Sequence, residues 1–182
     1  PFSIKSLLGI LEPQDYPRAE KVLDDRVSYL IDSMLKDVIR RGTGTRAKSL
    51  GRSDIAGKTG TTNDQVDAWF SGYNGDVVAT TWVGFDQNTP LGRSEYGGRA
   101  ALPIWIEFME TALKGRPETR RVQPPGIVTV RIDPETGERA KPGDPDAVFE
   151  YFRSENAPQE TGNSSTINSP YENEERITED IF

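Results

Sequence analysis

The sequence predicts an α+β fold, a three-stranded antiparallel meander flanked by helices, and three observations carry that prediction. Apolar residues recur at helical spacing from Val27 to Ile39. Three short segments between positions 55 and 85 are rich in β-branched and aromatic residues and are joined by turn signals. A second helical pattern opens at Pro103.

The first helix is marked by Val27, Leu30, Ile31, Met34, Leu35, Val38 and Ile39, one apolar stripe whose simplest role is core. Asp24 or Asp25 suits its N-cap, Arg40 and Arg41 suit the negative end of its dipole, and Gly42 suits a left-handed cap. Gly42-Thr43-Gly44-Thr45 then breaks the pattern. Ile55–Thr62 reads as a strand ending at Asn63-Asp64, and Ala68–Tyr73 as a second ending at Asn74-Gly75, a strong hairpin signal. Val77–Phe85 is the third. Residues 86–101 read as glycine-rich loop. Ile104, Trp105, Phe108, Met109, Ala112 and Leu113 then give a helix that stops at Gly115. Trp69, Trp82 and Trp105 are expected to pack in the core. Val122–Ile132 reads as a strand entering a turn at Asp133-Pro134-Glu135-Thr136-Gly137. Residues 1–24, with Pro13 and Pro17, read as loop with a possible short strand.

Composition narrows the function classes. Hydrophobic residues make up 34% of the 182, and Gly and Pro number 17 and 13, so much of the chain is loop or tail. The net charge of −7 lies in the last 39 residues: positions 1–143 carry 20 basic and 19 acidic side chains, and 144–182 carry 2 and 10. A near-neutral body gives little support to nucleic-acid binding. With no Cys and no His, the chain holds no disulfide, thiol nucleophile, Ser-His-Asp triad or ordinary zinc site. No metal or cofactor is expected. No apolar run approaches the roughly 20 residues that span a bilayer. The opening Pro1-Phe2-Ser3-Ile4 reads as an internal or C-terminal piece of a longer protein. The tail from Asp144 is rich in Ser, Asn, Glu and Pro, which favours disorder or a peripheral arm.

The segment that can carry chemistry is Gly57-Lys58-Thr59-Gly60-Thr61-Thr62. Two glycines in a strand mark a place where a backbone or ligand comes close. Thr59 and Thr61, at alternate positions, point to one side and can hold a carboxylate that Lys58 attracts. The Thr61 N–H can aim at a developing oxyanion. A strand edge accepts an extended peptide through main-chain hydrogen bonds. A surface hairpin with an exposed lysine fits the same residues.

Asp54-Ile55-Ala56-Gly57-Lys58-Thr59-Gly60-Thr61-Thr62-Asn63-Asp64 resembles the third motif of the class A, bifunctional penicillin-binding proteins. The likeness extends to Met34–Val38, Arg41–Thr45, Asp67–Phe70, Trp82–Asp86 and Ala101–Trp105, and so covers about residues 25–115. The resemblance implies the C-terminal portion of the serine penicillin-binding/β-lactamase fold. It also implies a peptidoglycan D,D-transpeptidase, inhibited by penicillins, on the periplasmic face of the bacterial inner membrane with its anchor upstream. Lys58 would serve the proton-transfer network, and Thr59 and Thr61 would hold the carboxylate of a stem peptide or β-lactam. The Thr61 N–H would supply half an oxyanion hole, and Gly60 would leave room for the acyl chain. The partner implied is an upstream part of the same protein carrying Ser-x-x-Lys and Ser-x-Asn, so this chain alone would be inactive.

Two literal matches to those missing motifs are expected to be coincidences. Ser33-Met34-Leu35-Lys36 lies on the first helix only 22 residues before Lys58, and Ser154-Glu155-Asn156 follows the third motif. A phosphate loop would need Gly at position 52, which is Arg52, and a helix after Lys58. Asn163-Ser164-Ser165 is a sequon too common to weigh. Residues 1–116 are thus expected to belong to the transpeptidase domain, 117–143 to an extension, and 144–182 to the acidic tail. The competing class is a non-catalytic binding or interface module, and a nucleotide-binding domain is the lesser alternative.

Overall fold

The computed structural model describes residues 20–159, and the chain divides into two compact units, Pro1–Pro125 and Gly126–Phe182. The expectations for 1–19, for the end of the tail and for the sequon at Asn163 lie outside the described residues.

In the first unit, helix α1 spans Asp25–Arg40. Asp24 caps it by accepting from the Arg26 N–H at 2.8 Å, and Arg40 sits in its last turn. The left-handed cap expected at Gly42 does not form: Arg41 ends the helix at φ −143°, and Gly42 is absent from the positive-φ residues. Gly42 answers a steric need instead, since a Cβ there would lie 2.9 Å from Val38 Cα. The sheet is the expected meander, with order β1-β2-β3, where β1 is Ala56–Thr61, β2 Asp67–Tyr73 and β3 Val78–Gly84. The Asn74 side chain closes the β2–β3 turn, its Oδ1 accepting from the Asp76 and Val77 N–H groups at 3.1 and 2.8 Å. The glycine-rich stretch contains a short helix, α2 (Gly97–Ala100), which leads into α3 (Leu102–Ala112) with Pro103 in its first turn.

Helix α3 lays Trp105 and Met109 on the sheet, where they join Phe70 and Leu102 as the largest fully buried side chains. Trp105 meets Phe70 edge-on at 4.9 Å and donates its indole N–H to the Ala79 carbonyl at 3.1 Å. Only that tryptophan is core. Trp69 and Trp82 are 40% and 45% exposed and pack on each other across β2 and β3 at 6.0 Å, which corrects the expectation of burial. Alternation puts both on the face opposite Phe70. The α1 stripe is likewise covered only in part: Ile39 is buried, while Ile31 and Met34 are 44% and 65% exposed.

Helix α1 is tied to β2 by a polar contact. The Tyr73 hydroxyl donates to Asp32 Oδ1 at 3.0 Å, and Lys36 Nζ sits 2.9 Å from Asp32 Oδ2. Burial, then the Asp32 carboxylate, pushes the Tyr73 phenol up to about 12. The stability this contributes is full below the phenol's ordinary pKa of about 10 and is lost as pH rises through about 12. In an alkaline titration followed by tyrosinate absorbance, one tyrosine should therefore ionise last, and Tyr73→Phe should abolish that late step. A late step that persists in Tyr73→Phe would refute the assignment.

The second unit pairs β4 (Ile127–Ile132) antiparallel with β5 (Val148–Arg153), and Ile127, Val130 and Ile132 are buried. The turn after β4 forms as read: Gly137 takes φ +73°, and its N–H donates to the Asp133 carbonyl at 2.9 Å. Strand β5 lies in the stretch whose composition favours disorder. The acidic average there conceals Val148-Phe149-Glu150-Tyr151-Phe152, a run with strand propensity.

Candidate active site

Among the described residues, strand β1 is an edge strand, and its register decides what that edge presents. The Thr62 N–H donates to the Asp67 carbonyl at 3.1 Å, so residues 58, 60 and 62 form the paired positions with β2. The main-chain groups of Gly57, Thr59 and Thr61 therefore face the open edge. This is the arrangement that strand addition by an extended ligand requires.

Side chains and a second backbone gather at the same edge. Lys58 Nζ reaches the Thr59 carbonyl at 3.0 Å and Thr59 Oγ1 at 3.3 Å. Thr59 Oγ1 also lies 2.8 Å from Thr43 Oγ1. Thr61 Oγ1 accepts from the Gly97 N–H at 3.0 Å. Lys58 and Thr61 are exposed and Thr59 is half-buried, so a ligand can reach them. The four residues singled out by sequence, Lys58, Thr59, Gly60 and Thr61, thus lie on one short stretch of free edge. Sequence reading named neither Thr43 nor Gly97 as a site residue.

Gly97 belongs there because nothing larger fits. A Cβ on it would fall 2.3 Å from the Trp69 carbonyl oxygen and 2.5 Å from that of Gly60. The loop before it is held by Gln65, whose carbonyl accepts from Leu91 N–H at 2.9 Å and whose side chain accepts from Glu95 N–H at 3.1 Å. The glycine expectation on β1 itself holds in a modified sense. A Cβ at Gly57 would meet the Phe70 ring at 2.7 Å, so that glycine makes room for the protein's own core.

The start of β1 is fixed by Asp54, 5% exposed. Arg52 grips it with two parallel bonds, Nε and Nη2 at 2.9 and 2.8 Å, and the Thr119 N–H donates to it at 3.0 Å. Asn74 Nδ2 adds a bond at 3.3 Å. Burial alone would raise the Asp54 pKa, but the Arg52 guanidinium and the Thr119 N–H outweigh it and hold the carboxyl well below the usual carboxylate range.

The decoys take other roles. Lys36 is committed to Asp32 at 2.9 Å. Ser154–Asn156 forms a 3₁₀ turn after β5 in the second unit. After Lys58 the chain continues as strand to Thr61, with no helix to cradle a phosphate, and Arg52 is spent on Asp54. Among the described residues, no helix is long and apolar enough to cross a membrane.

The fold is similar to the crystal structure of Penicillin-Binding Protein 1A from Haemophilus influenzae, with a TM-score of 0.72 and 40% sequence identity over 78% of this chain and 22% of that one. Residues 123–166 match the family described as Penicillin-binding protein 1A, C-terminal domain. Penicillin-binding protein 1A of Pseudomonas aeruginosa is 54% identical over 167 residues, which is 90% of this chain. The chain belongs to the penicillin-binding protein 1A family. It spans 20% of the length of the Pseudomonas protein and 14% of the Neisseria lactamica penicillin-binding protein 1A, to which it is 50% identical over 110 residues. The architecture is accordingly the C-terminal portion of the penicillin-binding fold, as the motif implied. The likeness to penicillin-binding protein 1A does not stop near residue 115, where the motif likeness ended, since residues 123–166 match as well.

Proposed function

We propose that this chain supplies the Lys-Thr-Gly wall of a serine-type D,D-transpeptidase site in peptidoglycan synthesis, and that the serine nucleophile comes from a segment outside residues 1–182. The observation that carries this reading is the open edge of β1, where Lys58, the Thr59 and Thr61 hydroxyls, and main-chain groups not taken up by β2 converge.

In the proposed reaction the serine attacks the penultimate D-alanine carbonyl of a stem peptide and D-alanine leaves. An amine of a neighbouring stem then captures the acyl group. Lys58 favours the anionic partners in the proton transfers around the serine. The Thr61 N–H faces outward and donates to the oxyanion as it forms. The Thr59 and Thr61 hydroxyls bind the terminal carboxylate, and Gly60 leaves space beside the acyl chain. A β-lactam enters by the same contacts and remains as the stable acyl adduct. The protein works at the periplasmic face of the inner membrane, held by an anchor outside this chain.

Labelling with a fluorescent penicillin tests the reading. A full-length protein carrying this chain should label, Lys58→Ala should slow acylation about a hundredfold, and the 182 residues alone should not label. Unchanged labelling of Lys58→Ala would refute the role of this wall. A covalent adduct on Ser33 would refute the external nucleophile.

A further inference from the structure

Thr43 is held against the Lys-Thr-Gly edge with more care than a connecting loop needs. The loop turns back immediately after α1, the Gly42 N–H donating to the Asp37 carbonyl at 3.0 Å and the Gly44 N–H to the Val38 carbonyl at 2.9 Å. At Gly44 a Cβ would meet Ile39 Cδ1 at 2.9 Å, and at Gly98 a Cβ would meet the Thr43 carbonyl oxygen at 2.9 Å. Glycine on either side of Thr43, and across from it, lets the loop close onto the strand. The result is the 2.8 Å contact between the Thr43 and Thr59 hydroxyls.

That contact matters for where the Thr59 proton points. A hydroxyl has one donor and two acceptor positions. Lys58 Nζ, which can only donate, fills one acceptor position of Thr59 Oγ1 at 3.3 Å. When Thr43 donates, it fills the second, and the Thr59 O–H has only the outward direction left. When Thr59 donates inward to Thr43, the site instead presents a lone pair to the ligand. A carboxylate accepts and cannot donate, so it binds the first arrangement and is repelled by the second. Thr61 receives one such donor from the backbone, since its Oγ1 accepts from the Gly97 N–H at 3.0 Å.

We propose that Thr43 is a positioning residue that donates to Thr59 and thereby turns the Thr59 hydroxyl outward as a donor to the carboxylate of the ligand. The proposal rests on the transpeptidase reading for the identity of that carboxylate. It assigns Thr43 no contact with the reacting carbonyl. Its signature is discrimination: loss of the Thr43 hydroxyl should weaken the reaction with a carboxylate ligand and spare a ligand whose carboxylate is masked.

The test compares acylation rate constants of a full-length protein carrying this chain, with benzylpenicillin and with its methyl ester. Thr43→Val keeps the shape and removes the hydroxyl, and Thr43→Ser restores it. For Thr43→Val the rate with benzylpenicillin should fall about tenfold, while the rate with the ester should change by no more than about twofold. Thr43→Ser should return the benzylpenicillin rate to within about threefold of the parent. Equal losses with both ligands would mean a general structural role and would overturn the proposal, as would no loss with either. If the parent protein fails to acylate, or if Lys58→Ala acylates as fast as the parent, the transpeptidase reading falls and takes this inference with it. Normal Lys58 dependence combined with no ligand discrimination by Thr43→Val overturns the inference alone.

Discussion

Asp54→Ala is expected to destabilise the first unit by about 4 kcal/mol, because it breaks a buried ion pair from one side. The Arg52 side chain is 12% exposed and would be left with its charge uncompensated, while the Thr119 N–H and the Asn74 amide would lose their acceptor. The damage spreads because Asp54 joins three parts of the unit: the start of β1, the β2–β3 turn and the segment at 116–119. Arg52 also donates to the Arg116 and Pro117 carbonyls at 2.9 and 3.1 Å, and Ser53 N–H to Glu118 at 3.2 Å, so that segment would loosen with the carboxylate gone. Urea unfolding measures the effect, and a loss below about 1 kcal/mol would show that the network closes without the carboxylate. The same group gives a pH dependence. A carboxyl depressed in the folded state stabilises above its unfolded pKa of about 4, and that contribution is lost as pH falls toward the folded value. Acid unfolding of the parent should therefore begin below about pH 4, and Asp54→Asn should be less stable at neutral pH with a flatter acid limb.

Gly97→Ala is the second large effect, about 3 kcal/mol. Both atoms that crowd the new methyl are backbone carbonyl oxygens, of Trp69 and Gly60, at 2.3 and 2.5 Å, so no side-chain rotation relieves it. Helix α2 would have to lift from the sheet, and the Gly97 N–H would leave Thr61 Oγ1. Stability and penicillin acylation should fall together in a full-length protein. An alanine tolerated with less than about 1 kcal/mol of destabilisation and normal labelling would show that α2 shifts freely.

The parts of the fold legible in sequence were those with a local, repeated signal. Helix α1 has a stripe and an acidic cap, and the meander has Asn74-Gly75 and segments rich in β-branched and aromatic residues. The β2–β3 register puts Trp69 and Trp82 on one face; strand composition does not say which face is covered, and that is where the core expectation failed. The apolar stripe of α1 misled in the same way at Ile31 and Met34. Strand β5 was lost to averaging over an acidic tail. At the site, the contiguous motif was readable because one strand carries it. Thr43 and Gly97 lie 16 and 36 positions from the residues they touch, a separation that no local pattern encodes. The signals that existed were glycines flanking a threonine at 42–44, read as a helix cap and break, and the Gly97-Gly98 pair, read as loop.

The open edge of β1 also bears on how the molecule keeps its own copies apart. A free strand edge pairs with any extended chain, including the same strand of another copy. Here that strand is six residues long, carries two glycines and presents a lysine. Each feature weakens self-pairing, and the lysine and Gly60 also belong to the proposed ligand site. Substituting a β-branched residue at Gly60, where a Cβ would lie 3.1 Å from Trp69 Cβ, would raise strand propensity and move the edge toward self-association. On the proposed function, the short, glycine-broken strand is a compromise between gripping a passing peptide and refusing a twin.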